Sequence, residues 1–250
     1  MSPLTISIIV FACVHGGGLL GVFLHRLLPD HHLSPETKEV VRLGMGLVAT
    51  TVALVLGLLV ASAKGFYDTQ SAEITQFSAN MVVLDRVLAH YGPESAVARS
   101  ALRSLAAGQI ERMELPDDSS VNDSYRGAHK GEVVFDKIQE LAPKDDNQRS
   151  LRAQATSVTI QLGQTRWLMF EQRTVPVPRL LLVMLVSWLA VLFISFGLYA
   201  SPNLTVVVSL FFSALAVSGA IFLMLAMYHP FGLIRVSVAP LRAALAQLGQ

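Results

Sequence analysis

Residues 180–234 run for 55 positions without a single Asp, Glu, Lys or Arg. Water cannot accommodate that much uncharged chain except as buried core, and core helices are shorter and broken by charge. A helix needs roughly 20 apolar residues to cross a hydrocarbon layer, so this run is long enough for two crossings joined at the "SPN" turn of 201–203. Residues 1–25 are also free of charged side chains. Four stretches reach crossing length: Leu4–Leu24, Leu43–Ala63, Leu180–Tyr199 and Thr205–Tyr228.

The charge that is missing there is concentrated elsewhere. Residues 64–179 hold 14 of the 19 Lys and Arg and 15 of the 18 Asp and Glu. The chain therefore divides into a first transmembrane pair (1–63), a polar segment (64–179), a second pair (180–228) and an amphipathic tail (229–250). Overall only 15% of residues are charged, against about 25% in soluble proteins. A net charge of +1 excludes the basic footprint of a nucleic-acid-binding protein. Cys13 is the single cysteine, which rules out an intrachain disulfide and any CxxC site. The opening "MSPLTISIIVFACVHGGGLL" lacks the basic start of a signal peptide and reads as a retained first span.

Four spans put both termini on one side together with residues 64–179. Lys64, Arg173, Arg179, Arg235 and Arg242 flank the membrane there, against Arg26, Lys38 and Arg42 on the other side. The positive-inside bias makes the first side cytoplasmic.

Helices in lipid gain little from hydrophobicity when they associate, so small residues that allow close approach mark their contacts. Span one carries Cys13, Gly17 and Gly21 at four-residue spacing, and span two carries Ala49, Ala53, Gly57, Ala61 and Gly65. Both stripes predict tight helix packing, with neighbours in an oligomer. His15 is an ionisable group at membrane depth, a position that marks a functional candidate, here for pH sensing. The plainer alternative is a neutral imidazole bonded to a neighbouring helix. His25, His31 and His32 lie close together, but no cysteine or carboxylate pattern completes a metal site.

Span two is expected to continue beyond the membrane. Phe66, Ile74, Phe77, Met81, Leu84 and Leu88 recur at helical spacing, beside a polar stripe of Lys64, Asp68, Ser71, Thr75, Ser78 and Asp85. Gly92 and Pro93 end this helix. Further helices are expected at about 94–114, 132–141 and 147–173, with a loop at 115–131 and breaks at Pro176 and Pro178. A last short helix after Pro240 has Leu241, Ala244, Leu245 and Leu248 on one face, suited either to the membrane surface or to the bundle. The expected fold is all-α: a four-span integral membrane protein with a cytoplasmic helical bundle between spans two and three.

No P-loop, GxSxG elbow, HExxH or dinucleotide glycine fingerprint occurs, and neither does a TVGYG filter. Nothing points to an enzyme, a cofactor or a bound metal.

The layout resembles the bestrophin-like membrane proteins of bacteria and plants. The resemblance rests on "LVLGLLVASAKGFYDTQSAEITQFSANMVVLDRVLAHYGP", on Trp188 and "FISFGLY" in span three, and on "HPFGLIRVS" after span four. Gly57, Tyr67, Asp68 and Glu73 fall where relatives carry a glycine-rich exit, a Tyr-Asp pair and a Glu. At Tyr228, His229, Pro230, Phe231 and Gly232 the chain departs from the acidic residue and spacing found in relatives, so no role of that acid is carried over. The resemblance implies a homo-oligomer, a pentamer by analogy, in the bacterial inner membrane, with the lipid bilayer and inorganic ions as its other partners.

The leading expectation is an oligomeric ion channel whose pore is lined by span two and its extension. Thr50, Gly57, Lys64, Asp68, Ser71 and Thr75 are the expected ion-contacting positions, although Lys64 and Asp68, one turn apart, are equally placed to pair with each other. A membrane-anchored scaffold whose bundle binds a soluble partner is the alternative. A secondary transporter would be expected to show internal repeats, and the two halves show none.

Overall fold

The computed structural model describes residues 2–28, 35–114, 131–171, 179–200, 203–228 and 236–249. Among these every regular element is helical: α1 (Pro3–Leu27), α2 (Pro35–Tyr91), α3 (Ala96–Glu114), α4 (131–139), α5 (Asp146–Glu171), α6 (Arg179–Tyr199), α7 (Leu204–Met227) and α8 (Ala239–Gln247). The expected loop at 115–131, the prolines at 176 and 178, and His31 and His32 fall outside the described residues, apart from Gly131 in α4. The chain forms two compact units. One comprises 1–66 with 176–228, the other 67–175 with 229–250. Helix α2 contributes to both.

The four expected crossings lie within α1, α2, α6 and α7, apart from Tyr228, which caps α7, and these helices are long and apolar enough to span a membrane. Helix α1 starts where Ser2 caps it by accepting the Thr5 amide at 3.2 Å, with Pro3 in the first turn. Asn203 does the same for α7, accepting the Val206 amide at 2.8 Å.

The glycines of α1 explain how the first unit closes. A Cβ on Gly17 would stand 3.2 Å from the Ala190 carbonyl oxygen of α6, and one on Gly21 would drive into the Ile194 carbonyl. From the other side, a Cβ on Gly197 of α6 would collide with the Gly18 carbonyl, while Gly18 itself faces Leu210 of α7. Two backbones meet directly here, a contact that only glycine permits. The neighbour that the α1 stripe meets is thus α6 of the same chain rather than another subunit. His25, at the end of α1, adds a bond between its Nδ1 and the Leu198 carbonyl at 2.7 Å. Val14, Leu185, Ala214, Ile221 and Met224 fill the core around this crossing.

The second unit is a helical bundle with its own core. Ile74, Phe77, Met81, Leu84 and Leu88 of α2 are buried in it, as their spacing predicts, with Leu102, Val134, Ile138 and Leu162 from the other helices. Helix α2 stops at Gly92, whose φ of +121° suits only glycine. A 3-10 turn over Pro93–Ser95 then reverses the chain. The C-terminal helix packs on this bundle, with Leu241, Ala244 and Leu248 buried. Each buried leucine there contributes about 1.5–3 kcal/mol.

Ser78 and Asp85 correct the expected polar stripe, because both lie in the core. Ser78 returns its hydroxyl to the Ile74 carbonyl at 2.7 Å, so it needs no solvent. Asp85 is 1% exposed and accepts Arg99 in a fork, Nε to Oδ1 at 2.8 Å and Nη2 to Oδ2 at 2.9 Å. The Gly249 amide donates to the same carboxylate at 3.2 Å, and Arg103 donates to the Leu248 carbonyl at 3.4 Å. Arg242 of α8 pairs with Glu114. One buried carboxylate therefore joins α2, α3 and the C-terminal segment. Burial pushes the Asp85 carboxyl up, but the Arg99 and Gly249 bonds, with the charges of Arg99 and Arg86, hold it below its ordinary 3.8.

Two outcomes are expected. Gly21→Ala overpacks the α1–α6 crossing and costs about 1–3 kcal/mol, whereas Gly16→Ala, with open space around it, costs nothing; thermal melts of the purified protein distinguish them. Asp85→Ala costs about 2–3 kcal/mol, below the value for a fully buried pair because Arg99 keeps some solvent access. Because the folded pKa is depressed, the stabilisation by Asp85 is complete above pH 3.8 and is lost as pH falls through the lower folded value. An acid titration of unfolding should show this limb in the native chain and lack it in Asp85→Asn.

Candidate functional site

Helix α2 buries one face and leaves the opposite one bare. At about 100° per residue, Val52, Leu59, Ala63, Ile74, Phe77, Met81, Leu84 and Leu88 fall in one sector, and all of them are buried. On the other side, Thr50, Gly57, Lys64, Asp68, Ser71 and Thr75 share a sector of about 60°. In the first unit Thr50, Gly57 and Lys64 are exposed; in the second Asp68 and Thr75 are exposed and Ser71 is half-buried. The six expected ion-contact positions thus share one face of a single unbroken helix.

The hydroxyls on that face are locally satisfied. Thr50 donates to the Gly46 carbonyl at 2.9 Å and Thr75 to the Ser71 carbonyl at 2.9 Å, each one turn back. Their oxygens still have lone pairs directed outward. Lys64 and Asp68 both take part in interactions of their own.

Ala49, Ala53, Gly57, Ala61 and Gly65 form an oblique ridge that crosses this face at Gly57. Among the described residues a Cβ at Gly57 or Gly65 would meet nothing within 4 Å, and Ala53 and Ala61 are exposed. Ala49 and Ala53 border an apolar groove of about 540 Å³ between α2, α6 and α7. This second stripe therefore differs from the one on α1: among the described residues Ala53, Gly57 and Ala61 have no backbone of another helix pressed against them. Leu47, Leu54 and Leu58 beside it are at least 70% exposed, and only 11% of the most apolar window of α2 is buried, against 33% in α1.

Ser62 and Tyr228 were not expected to matter. Their hydroxyls lie 3.2 Å apart, and the Tyr228 ring sits 5.5 Å from that of Phe66. Together they pin α2 to the end of α7. Only the hydroxyl–aromatic composition of "ASAKGF" hinted at such a contact.

His15 is held between aromatic rings, stacked on Phe11 with centroids 5.5 Å apart and edge-on to Phe211 at 5.5 Å. Its Nδ1 is buried without a hydrogen-bond partner, so the bond to a neighbouring helix expected of a neutral imidazole is not made at that atom. Among the described residues no group of three His, Cys, Asp or Glu side chains is placed to hold a metal ion.

The model of the Bestrophin-like domain matches residues 12–241. No curated protein matches the chain. Among solved structures, that of a bacterial bestrophin homolog from Klebsiella pneumoniae carrying the mutation W252A is similar, with a TM-score of 0.67 at 14% identity. The likeness covers 99% of this chain and 96% of that one, and at this identity it speaks to the fold alone. With the family match running almost from end to end, the chain belongs to the Bestrophin-like family.

Proposed function

We propose that this protein is a subunit of an oligomeric ion channel, inserted in a membrane through α1, α2, α6 and α7, whose pore is lined by the bare face of α2. One observation carries the reading. A helix with exposed leucines, exposed small residues at Ala53, Gly57 and Ala61 and a polar line on the same side is only half packed by the described residues of its own chain. Copies related by rotational symmetry would cover the ridge and turn the polar line toward a common axis. Each of Lys64, Asp68, Ser71 and Thr75 then becomes a ring around that axis, and rings of charged side chains set which ions pass. Within the span, Thr50 and Gly57 contribute a hydroxyl and a bare backbone. The bundle, with both termini, lies on the cytoplasmic side, as the basic flanks favour. Membership of the family supports conduction by analogy, while the residues named here come from this chain alone.

Purified protein in liposomes is expected to pass small inorganic ions, and Asp68→Asn to change the ratio of cation to anion flux. Tight vesicles with verified insertion would overturn the reading. Gly57→Leu is expected to leave the fold of the single chain intact, since nothing lies within 4 Å of its Cβ, and to reduce the subunit number of solubilised particles measured by light scattering.

A further inference from the structure

The polar line of α2 does not end at Thr75. Arg86 follows Asp68 by 18 residues, which is five turns, so at about 100° per residue the two stand at the same angle on the helix. Both belong to the bundle unit and both are exposed. Ser71, Thr75, Ala79 and Val82 fill the line between them, and none carries a charge.

Other basic side chains of the bundle are taken up by acids: Arg99 by Asp85, Lys137 by Glu140, Lys144 by Glu94, Arg149 by Asp146 and Arg242 by Glu114. Among the described residues Arg86 makes neither an ion pair nor a side-chain hydrogen bond. The positions one turn away on either side are Val82, Val83, Ala89 and His90, so the helix offers it no acid. Asp85 is next in sequence and feels its charge, but that carboxylate is buried and already held by the Arg99 fork and the Gly249 amide. The end of the helix does not account for Arg86 either: the dipole acts within the last turn, where His90 stands. At 1.5 Å per residue Arg86 lies about 27 Å along the helix from Asp68, against a screening length of about 10 Å in 0.1 M salt. The carboxylate on the same line therefore cannot neutralise it.

We propose that Arg86 is a specificity-determining residue at the bundle end of the conduction path: one from each copy forms a cationic ring that concentrates anions at that mouth alone. The inference rests on the pore reading above, in which copies of α2 turn this face toward a common axis. An isolated cation on one helix becomes, in a ring, several like charges whose repulsion is relieved by anions drawn between them. The Asp68 and Arg86 rings lie more than a screening length apart, so each acts on ions separately. Anions then enter more readily from the bundle side than from the opposite side.

The test uses the full chain in planar bilayers with potassium chloride as the salt, on a Cys13→Ser background so that a thiol introduced at position 86 is unique. Arg86→Gln is expected to lower the chloride current entering from the bundle side by roughly fivefold in about 0.1 M salt, leaving the current from the opposite side as it was. In about 1 M salt, where the screening length falls to about 3 Å, the difference should vanish. Arg86→Lys should behave like the native chain. In Arg86→Cys, a trimethylammonium methanethiosulfonate added on the bundle side should restore the current, and a sulfonate reagent should not; the side from which they react identifies that chamber. Arg149→Gln, which removes a cation from another helix, should change nothing, and light scattering should give every variant the native particle size. The proposal is overturned, with the pore reading intact, if the native chain conducts and Arg86→Gln leaves current from both sides unaltered, or if Arg149→Gln has the same effect. A native chain that inserts and passes no ions overturns the pore reading and this one together.

Discussion

The structure turns on a helix that keeps one mostly apolar side buried, with Gln70 as a polar member, while its other side changes character. Over 57 residues α2 satisfies its own backbone hydrogen bonds, so it needs partners only for its side chains. One face always finds them within the chain, first among Val52, Leu59 and Ala63 and later among Ile74, Phe77 and Met81. The other face is mostly glycine, alanine and leucine in the first unit, with Thr50 and Lys64 among them, and carries Asp68, Ser71 and Thr75 in the second. A face of that kind is stable only where its surroundings change in the same way, from hydrocarbon or a close-packed neighbour to water.

The two units solve their packing by different chemistry. In the first, apolar side chains gain little from meeting one another in preference to lipid, so shape decides. Gly17, Gly21 and Gly197 remove the Cβ atoms that would hold α1 and α6 apart, and backbone meets backbone. In the second, the hydrophobic effect assembles the core, and specificity is added by a buried carboxylate. Asp85 would be costly if unpaired; the Arg99 fork and the Gly249 amide make it a fixed point for three separate pieces of chain. The C-terminal segment is thereby part of the bundle core rather than an appendage.

His15 carries the other unusual chemistry. It is held between the rings of Phe11 and Phe211, and among the described residues its buried Nδ1 has no hydrogen-bond partner.

Length, charge segregation and periodicity are local properties, and they made most of the elements legible. The four crossing-length runs, the continuation of span two to Gly92 and the helical insert could all be read residue by residue, because a helix is specified by its own neighbours. The burial of Ile74, Phe77 and Met81 followed from the same spacing. Which small-residue stripe meets which helix was not legible: the stripes on α1 and α2 look alike in sequence, yet one lies against the α6 backbone while in the other Ala53, Gly57 and Ala61 stay exposed among the described residues. Nor could the sequence tell that Asp85 leaves the polar stripe for the core, since its partners stand 14 and 164 positions away. Local pattern determined the helices and their apolar faces; only the tertiary structure decided who faces whom, because that choice depends on atoms that chain order does not bring together.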